Sequence, residues 1–187
     1  PVGRHGIGMR SLVVGPRPLP RTHADLGLPM VDLGCGNGSR ARALAAFCPR
    51  VVGVDVSPAA IERARSETAA STERAGTVGY PGVEFRVADA ADPTLGPRLV
   101  AEIGDANVHV RGVLHVVARA TRPAVVRNIA HLLGRRGTLF LSETDASGHP
   151  LDYLAAQGVT ATRMPAMVHR LVASGIPPPS HFGDHFS

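Results

Sequence analysis

The feature that most constrains the fold is a short apolar run closed by a glycine-rich turn, Met30-Val31-Asp32-Leu33-Gly34-Cys35-Gly36-Asn37-Gly38. An alanine-rich segment, residues 39–46, follows at once, and alanine has the highest intrinsic helix propensity. A strand, a glycine turn and a helix in this order open a doubly wound α/β fold. The glycines permit positive φ angles and a close approach of the backbone to a ligand. We therefore predict an α/β protein with a doubly wound, mostly parallel sheet in three α/β/α layers.

The spacing of these glycines does not fit a bound dinucleotide. The dinucleotide fingerprint G-x-G-x-x-G, counted from Gly34 and Gly36, requires a third glycine where Ser39 stands. A pyrophosphate would also be repelled by Asp32, two residues before the first glycine, whereas a cation would be attracted. S-adenosylmethionine carries a sulfonium and an α-ammonium group, so its methionine end is a ligand that suits this turn.

Two further carboxylates follow apolar runs. Asp55 ends the run that begins at Val51, roughly 20 residues after Gly34, where doubly wound folds place an acid that hydrogen-bonds the ribose hydroxyls. Asp89 closes the next apolar run. Because the carboxyl ends of parallel strands meet at one edge of a sheet, we expect these two acids and Asp32 to stand at three strand ends and to line one acidic crevice.

In these features the chain resembles the class I S-adenosylmethionine-dependent methyltransferases that act on small molecules. Residues 31–38 match the family's glycine motif, Asp55 its ribose acid and Asp89 its adenine-side acid, within roughly residues 24–145. The resemblance implies a Rossmann-like fold, S-adenosyl-L-methionine as cofactor and S-adenosyl-L-homocysteine as product. It implies that the cofactor-binding residues are Asp32, Gly34, Cys35, Gly36, Asn37, Gly38, Asp55, Val56, Ser57, Asp89, Ala90, Val110 and Arg111.

The fourth predicted strand, residues 107–111, continues into a Gly-Val-Leu-His sequence that ends at His115. This resembles a family motif that begins with Asp and ends in Leu-His or Leu-His-His, but here Asn107 or Ala106 replaces the Asp and Val116 the last His. His115 is the candidate catalytic base, because it follows the strand near the crevice and imidazole generally titrates near neutral pH. The alternative is that His115 packs or hydrogen-bonds locally and shapes the pocket floor.

A fifth strand is predicted over residues 138–143. Charged residues near the ends of the fourth and fifth strands are further candidates. Arg111 interrupts an apolar strand, so we expect it to point into the crevice or to pair with an acid there. Glu143, Asp145 and His149 stand where they can face an acceptor, although each also fits as part of a loop or pocket wall.

No metal site is predicted. The acids and histidines after the fifth strand have no diagnostic ligand spacing. His181 and His185 form an i, i+4 pair near the end of the chain, but no helical pattern surrounds them.

Two helices have clear starting signals. Ser57 and Pro58 provide an N-cap and a first helical residue, and this helix should fade by Ala70 into a polar loop over residues 71–82. A second helix is predicted over residues 122–133, where apolar residues recur on one face.

Composition limits the class of partner. The net charge is +5, and the chain has five Phe, two Tyr and no Trp. Its basic residues are scattered arginines, so a stacking, basic nucleic-acid surface is not indicated. The two cysteines form no disulfide pattern, and no apolar run is long enough to span a bilayer. We expect a cytoplasmic protein whose partners are a small-molecule methyl acceptor and, as a homodimer, a second copy of the chain, without nucleic acid or membrane.

We predict a single methyltransferase domain over residues 1–187. Residues 1–22 are rich in Gly, Pro and Arg and are expected to form a cap or leader without regular structure. Residues 23–145 are the cofactor-binding core, and residues 146–187 are the substrate-side segment. The resembled family closes its sheet with two more strands, and the sequence indicates neither before Ser187, so we expect the C-terminal strands to be missing.

The predicted function is methyl transfer from S-adenosylmethionine to an oxygen of a small molecule, a sugar or secondary metabolite. The choice of oxygen comes from the family, so N- or C-methylation stays open. One further alternative is an NAD(P)-binding oxidoreductase, against which Ser39 and Asp32 count. Another is a non-catalytic binding domain of the same fold, supported by the changed fourth-strand motif alone.

Overall fold

The computed structural model describes residues 9–14, 24–75 and 82–144. In these ranges strands and helices alternate along most of the chain. The elements are β1 (Met9–Val14), β2 (Met30–Leu33), α1 (Ser39–Leu44), β3 (Val51–Asp55), α2 (Pro58–Ala75), β4 (Val83–Val87), α3 (Leu95–Ile103), β5 (Asn107–Arg111), α4 (Arg122–Leu133) and β6 (Leu139–Thr144).

The described strands form one sheet in the order β1-β6-β5-β2-β3-β4. Strand β2 pairs in parallel with β3 on one side and with β5 on the other, and β3 pairs in parallel with β4. The chain thus moves from β2 to one side of the sheet and later crosses back to β5. A ligand crevice lies at such a switch point, outside the carboxyl ends of the strands. The predicted doubly wound α/β fold is confirmed.

The chain divides into two compact units. Of the described residues, the larger unit contains 12–14, 24–75, 82–111 and 119–141, and the smaller contains 9–11, 112–118 and 142–144.

One core cluster of the larger unit packs α1 and α2 against β2, β3 and β4. Phe85 belongs to it, and a Cβ atom added at Gly38 or Gly53 would approach its ring to 2.5 or 2.6 Å. Both glycines are therefore required by packing, and burial of Phe85 holds the glycine turn against the sheet. The buried members are Met30, Cys35, Ala41, Cys48, Val51, Ile61, Ala64 and Phe85.

The expectation of no regular structure in residues 1–22 is wrong for Met9–Val14, which forms strand β1 at the edge of the sheet. The sequence of this strand contains Val13 and Val14, and β-branched residues are enriched in strands. The rest of this segment and the predicted substrate-side segment, residues 146–187, lie outside the described residues.

Element ends differ from the sequence prediction in three places. Helix α2 continues to Ala75 instead of fading by Ala70, and the Ser71 hydroxyl donates to the Glu67 carbonyl one turn earlier. Helix α1 ends at Leu44 instead of residue 46, and β4 ends at Val87, two residues before Asp89. The predicted helix over residues 122–133 is confirmed with the same bounds.

Candidate functional site

The three glycines of the turn after β2 have positive φ angles, as the sequence predicts. The values are 72° at Gly34, 54° at Gly36 and 74° at Gly38, a region that residues with a Cβ atom rarely occupy. Their surroundings differ. A Cβ atom at Gly36 would meet no described atom within 4 Å, whereas at Gly38 it would collide with Phe85. Gly36 is therefore the position where a ligand can approach the backbone closely.

Asp55 binds this turn directly. Its Oδ2 accepts a hydrogen bond from the Gly36 N–H at 2.9 Å, and its Oδ1 accepts one from the Ser57 N–H at 2.9 Å. Each carboxylate oxygen has two lone pairs, so both oxygens retain capacity for a further donor. The Ser57 hydroxyl also accepts from the Ala60 N–H at 3.3 Å, which confirms the predicted N-cap of α2.

Asp32 lies inside β2 rather than at its end, which corrects the expectation of three acids at three strand ends. Its residue is 2% exposed, and its register partners are Gly53 on β3 and His109 on β5. Asp32 Oδ1 lies 2.7 Å from His109 Nδ1. Asp32 Oδ2 is buried and has no hydrogen-bond partner within the described ranges.

The ends of β3 and β4 present two apolar side chains beside two acids. Val56 is 66% exposed and Val87 is 48% exposed. Asp89 is also exposed, and its Oδ1 accepts a hydrogen bond from the Ala91 N–H at 2.8 Å. Because β3 and β4 are parallel neighbours, these residues and Asp55 follow adjacent strand ends at the same edge of the sheet.

Asn128 on α4 fixes the loop that carries Asp89, a role that sequence reasoning missed. It is 1% exposed. Its amide nitrogen donates to the Ala90 carbonyl at 2.9 Å and to the Asp92 carbonyl at 2.7 Å, and its oxygen accepts from the Gly96 N–H at 3.1 Å. The polar residue on the buried face of a predicted amphipathic helix is the one signal that could have drawn attention to it.

Cys35 turns its side chain into the core. Burial raises the pKa of its thiol to about 12, with smaller contributions from the negative charges of Asp32 and Asp55. The thiol is therefore protonated near neutral pH and is a poor nucleophile.

Asn37 is held by two charged residues that the sequence analysis did not identify. Its side-chain amide nitrogen donates to Glu67 Oε2 at 3.1 Å, and its main-chain carbonyl accepts from the Arg42 guanidinium at 3.0 Å. Arg42 also forms an ion pair with Glu67 at 2.9 Å. These contacts of Asn37, Arg42 and Glu67 connect the glycine turn to α2.

The residues at the end of β5 have unlike surroundings. Val110 is fully buried. Arg111 is exposed and forms no ion pair within the part of the chain that the structure describes. Of the two alternatives for Arg111, pairing with an acid is not seen within these ranges, and the side chain reaches solvent because the strand ends here. That Arg111 points into the crevice stays a prediction.

Asn107, one of the two residues that can occupy the position of the family's Asp, has a structural role. It is fully buried, its amide nitrogen donates to the Asp25 carbonyl at 2.8 Å, and its oxygen accepts from the Thr138 N–H at 2.9 Å. An ionised aspartate could accept but could not donate a hydrogen bond. Asparagine can do both, so it can link the segments of Asp25 and Thr138.

The smaller unit contains a second carboxylate–histidine pair. His115 Nδ1 lies 2.7 Å from Glu143 Oε2. Glu143 Oε1 accepts from the Val113 N–H at 3.0 Å and the Leu114 N–H at 2.9 Å. Both residues of the pair are buried. Glu143 is thus an internal anchor for His115 and for the loop before it, which corrects its assignment to a loop or to an acceptor-facing wall.

Residues 30–137 match the family model described as a methyltransferase domain, more than half of the 187 residues. The chain belongs to this methyltransferase domain family. The resemblance predicted from the sequence is thereby confirmed. A search of curated proteins finds no match to the sequence.

Two solved structures illustrate what this methyltransferase domain is similar to. The first is a SAM-dependent methyltransferase from Anabaena variabilis ATCC 29413, with 28% identity and a TM-score of 0.63; the alignment covers 84% of this chain and 59% of that one. The second, magnesium protoporphyrin IX methyltransferase from Synechocystis PCC 6803 with bound SAH, has 20% identity, coverages of 86% and 60% and a TM-score of 0.50, and shows the fold alone. The domain spans less than two thirds of either chain.

The remaining candidates of the sequence analysis, Asp145, His149, His181 and His185, lie outside the described residues of the methyltransferase domain. Within the described ranges, no group of three or more His, Cys, Asp or Glu residues can hold a metal ion. No helix in those ranges is long and apolar enough to cross a membrane.

Proposed function

We propose that this chain binds S-adenosyl-L-methionine and acts as a methyltransferase on an oxygen of a small molecule, such as a sugar or secondary metabolite. The observation that carries the proposal is the glycine turn itself. Asp55 accepts a hydrogen bond from it, and a Cβ atom at Gly36 would meet no described atom within 4 Å. The buried Asp32, a few residues earlier in the chain, has a carboxylate oxygen without a partner among the described residues. These groups fit a ligand that is cationic at one end and carries a ribose.

The proposed cofactor contacts follow from the chemistry of each group. Gly34, Cys35, Gly36, Asn37 and Gly38 would hold the methionine end, and Asp32 would attract its ammonium group. Asp55 would accept from the ribose hydroxyls through the lone pairs that it retains. The exposed Val56 and Val87 would hold the adenine, and Asp89 would accept from its exocyclic amine. Ser57, Ala90, Val110 and Arg111 would supply further contacts.

The same features argue against a nicotinamide dinucleotide. A pyrophosphate needs backbone N–H donors at the start of the helix. At the start of α1, however, the Gly38 N–H already donates to the Cys35 carbonyl at 3.0 Å and the Ser39 N–H to Asn37 Oδ1 at 3.4 Å. The negative charge of Asp32 would repel a pyrophosphate further. An oxidoreductase is therefore the weaker of the two functions.

When bound, the cofactor supplies a methyl group on a sulfonium, and the bond from carbon to sulfur breaks as the bond to the acceptor oxygen forms. The chain's contribution is to align the two reactants and to remove the hydroxyl proton. We propose that His115 is the base that accepts this proton. Glu143 against Nδ1 favours the tautomer with the proton on Nδ1, which puts the basic lone pair on Nε2.

We further propose that the protein works in the cytoplasm, as a homodimer, on a free small molecule rather than on nucleic acid or at a membrane. Scattered arginines and few aromatic side chains support a small-molecule acceptor over nucleic acid. Incubation with carbon-13 methyl-labelled cofactor and pools of small molecules tests the acceptor, since the carbon shift of the product distinguishes O-, N- and C-methylation. Labelling of nucleic acid instead would contradict the proposal.

The cofactor assignment is tested by Asp55→Ala. Loss of the ribose hydrogen bonds should weaken binding of S-adenosylhomocysteine by about tenfold to a hundredfold in calorimetry. Asp25→Ala is a matched control, because Asp25 is an exposed carboxylate whose ion pair with Arg136 lies on the surface; its affinity should match that of the wild type. Unchanged affinity in a folded Asp55→Ala variant would overturn the assignment.

A further inference from the structure

In the pair formed by Asp32 and His109, only one of the two carboxylate oxygens has a hydrogen-bond partner among the described residues. The two residues stand opposite each other on the parallel strands β2 and β5, and their side chains are 3% and 13% exposed. One oxygen of Asp32 lies 2.7 Å from His109 Nδ1. The other is buried without a partner among the residues that the structure describes.

A buried carboxylate oxygen without a donor is costly. A charged group that is buried and unpaired loses more free energy than a neutral polar group, for which the loss is about 1–3 kcal/mol. Asp32 lies within β2 between the paired strands β3 and β5, so its backbone is held on both sides. A cationic donor from a ligand would supply the missing partner and remove the cost.

His109 determines which oxygen is left for that donor. Its contact with Oδ1 fixes the rotation of the carboxylate, since a second strand holds His109 itself. In the tautomer with the proton on Nδ1, His109 donates a hydrogen bond while staying neutral, so the pair keeps one negative charge. A lysine or arginine at this position would orient the carboxylate but would cancel its charge.

We propose that His109 is a positioning residue for ligand binding: it orients Asp32 so that Oδ2 accepts a hydrogen bond from the α-ammonium group of the cofactor's methionine end. This inference rests on the proposed function and adds a residue that the family motif does not contain. His109 acts through Asp32 and touches no reacting atom.

The test compares two ligands that differ in one group, S-adenosylhomocysteine and its analogue without the α-amino group. His109→Leu should weaken binding of S-adenosylhomocysteine by about tenfold, the value of one lost hydrogen bond of about 1.4 kcal/mol, and leave the deaminated analogue within about twofold. His109→Asn restores an N–H donor near the Nδ1 position and should recover most of the affinity. His131→Leu, an exposed histidine on α4, is the matched control and should bind both ligands like the wild type.

Selectivity separates positioning from a general structural effect. Equal weakening of both ligands by His109→Leu, or no rescue by His109→Asn, would overturn the inference. If His109→Leu does not fold, Asp32→Asn carries the test, because it should also weaken the amino-bearing ligand selectively; equal loss of both ligands contradicts the proposal. If the wild type binds neither ligand, the proposed function is refuted as well. If the wild type binds both ligands and Asp55→Ala weakens binding while His109→Leu does not, this inference is refuted and the proposed function stands.

Discussion

Two carboxylate–histidine pairs in the described part of the chain have the same closest distance but differ in how many carboxylate oxygens are hydrogen-bonded. In both, a histidine Nδ1 lies 2.7 Å from a carboxylate oxygen. Glu143 uses both oxygens within the protein, because its second oxygen accepts two backbone N–H groups. Asp32 leaves one oxygen without a partner within the described ranges.

The number of hydrogen-bonded carboxylate oxygens distinguishes two uses of a carboxylate–histidine pair. Glu143 is anchored by the backbone, so it can hold His115 in one tautomer and orientation. Asp32 accepts no backbone N–H within the described ranges, and His109 contacts only one of its oxygens. Under our proposals, the histidine of the first pair removes a proton, whereas the carboxylate of the second pair binds the ligand.

The largest expected effect is on stability. Glu143→Ala leaves two backbone N–H groups and His115 without their acceptor, so it should lower the free energy of unfolding by about 3–5 kcal/mol. Asp32→Ala removes a carboxylate that is itself half satisfied and should cost about 1–2 kcal/mol. Urea denaturation of both variants without ligand measures the difference. Equal losses would show that the two carboxylates are equally structural.

His115→Ala should mainly affect turnover. Loss of a general base typically lowers kcat by about 10²- to 10⁴-fold, while calorimetry should give an unchanged cofactor affinity. His109→Asn is the contrasting variant, since it should retain kcat at saturating cofactor. Wild-type turnover in a folded His115→Ala variant would remove His115 as the base and favour its local packing role.

Within the glycine turn, we expect a smaller contrast between a substitution that mainly affects stability and one that mainly affects cofactor binding. Gly38→Ala meets Phe85 and a positive φ angle, so overpacking alone should cost about 1–3 kcal/mol and lower the melting temperature. Gly36→Ala meets the strained φ angle in open space, with about 1–2 kcal/mol of strain and a marked loss of cofactor binding. A Gly36→Ala variant that binds cofactor normally would mean that the ligand does not approach this part of the turn.

Local patterns were sufficient for much of the cofactor side. The strand–turn–helix order, the positive φ angles of the turn and the N-cap at Ser57 depend on residues close together in the chain, and all were predicted correctly. The doubly wound fold followed from the alternation of apolar runs and helical segments. Errors arose where tertiary contacts outweighed local preference, as at β1, whose residues pair with the sheet despite the prolines nearby.

The partners of the key side chains could not be predicted in the same way. His109 and Asp32 are 77 residues apart in the chain, and they meet because β2 and β5 pair in one particular register. The same holds for Asn128 and the loop at Ala90, and for Glu143, which looked like a loop residue and is an internal anchor. The sequence by itself determined the family, the fold and the position of the glycine turn, since these depend on local pattern. The tertiary structure decided which carboxylate oxygens are satisfied, because that depends on which distant residues the strand register brings within hydrogen-bonding distance.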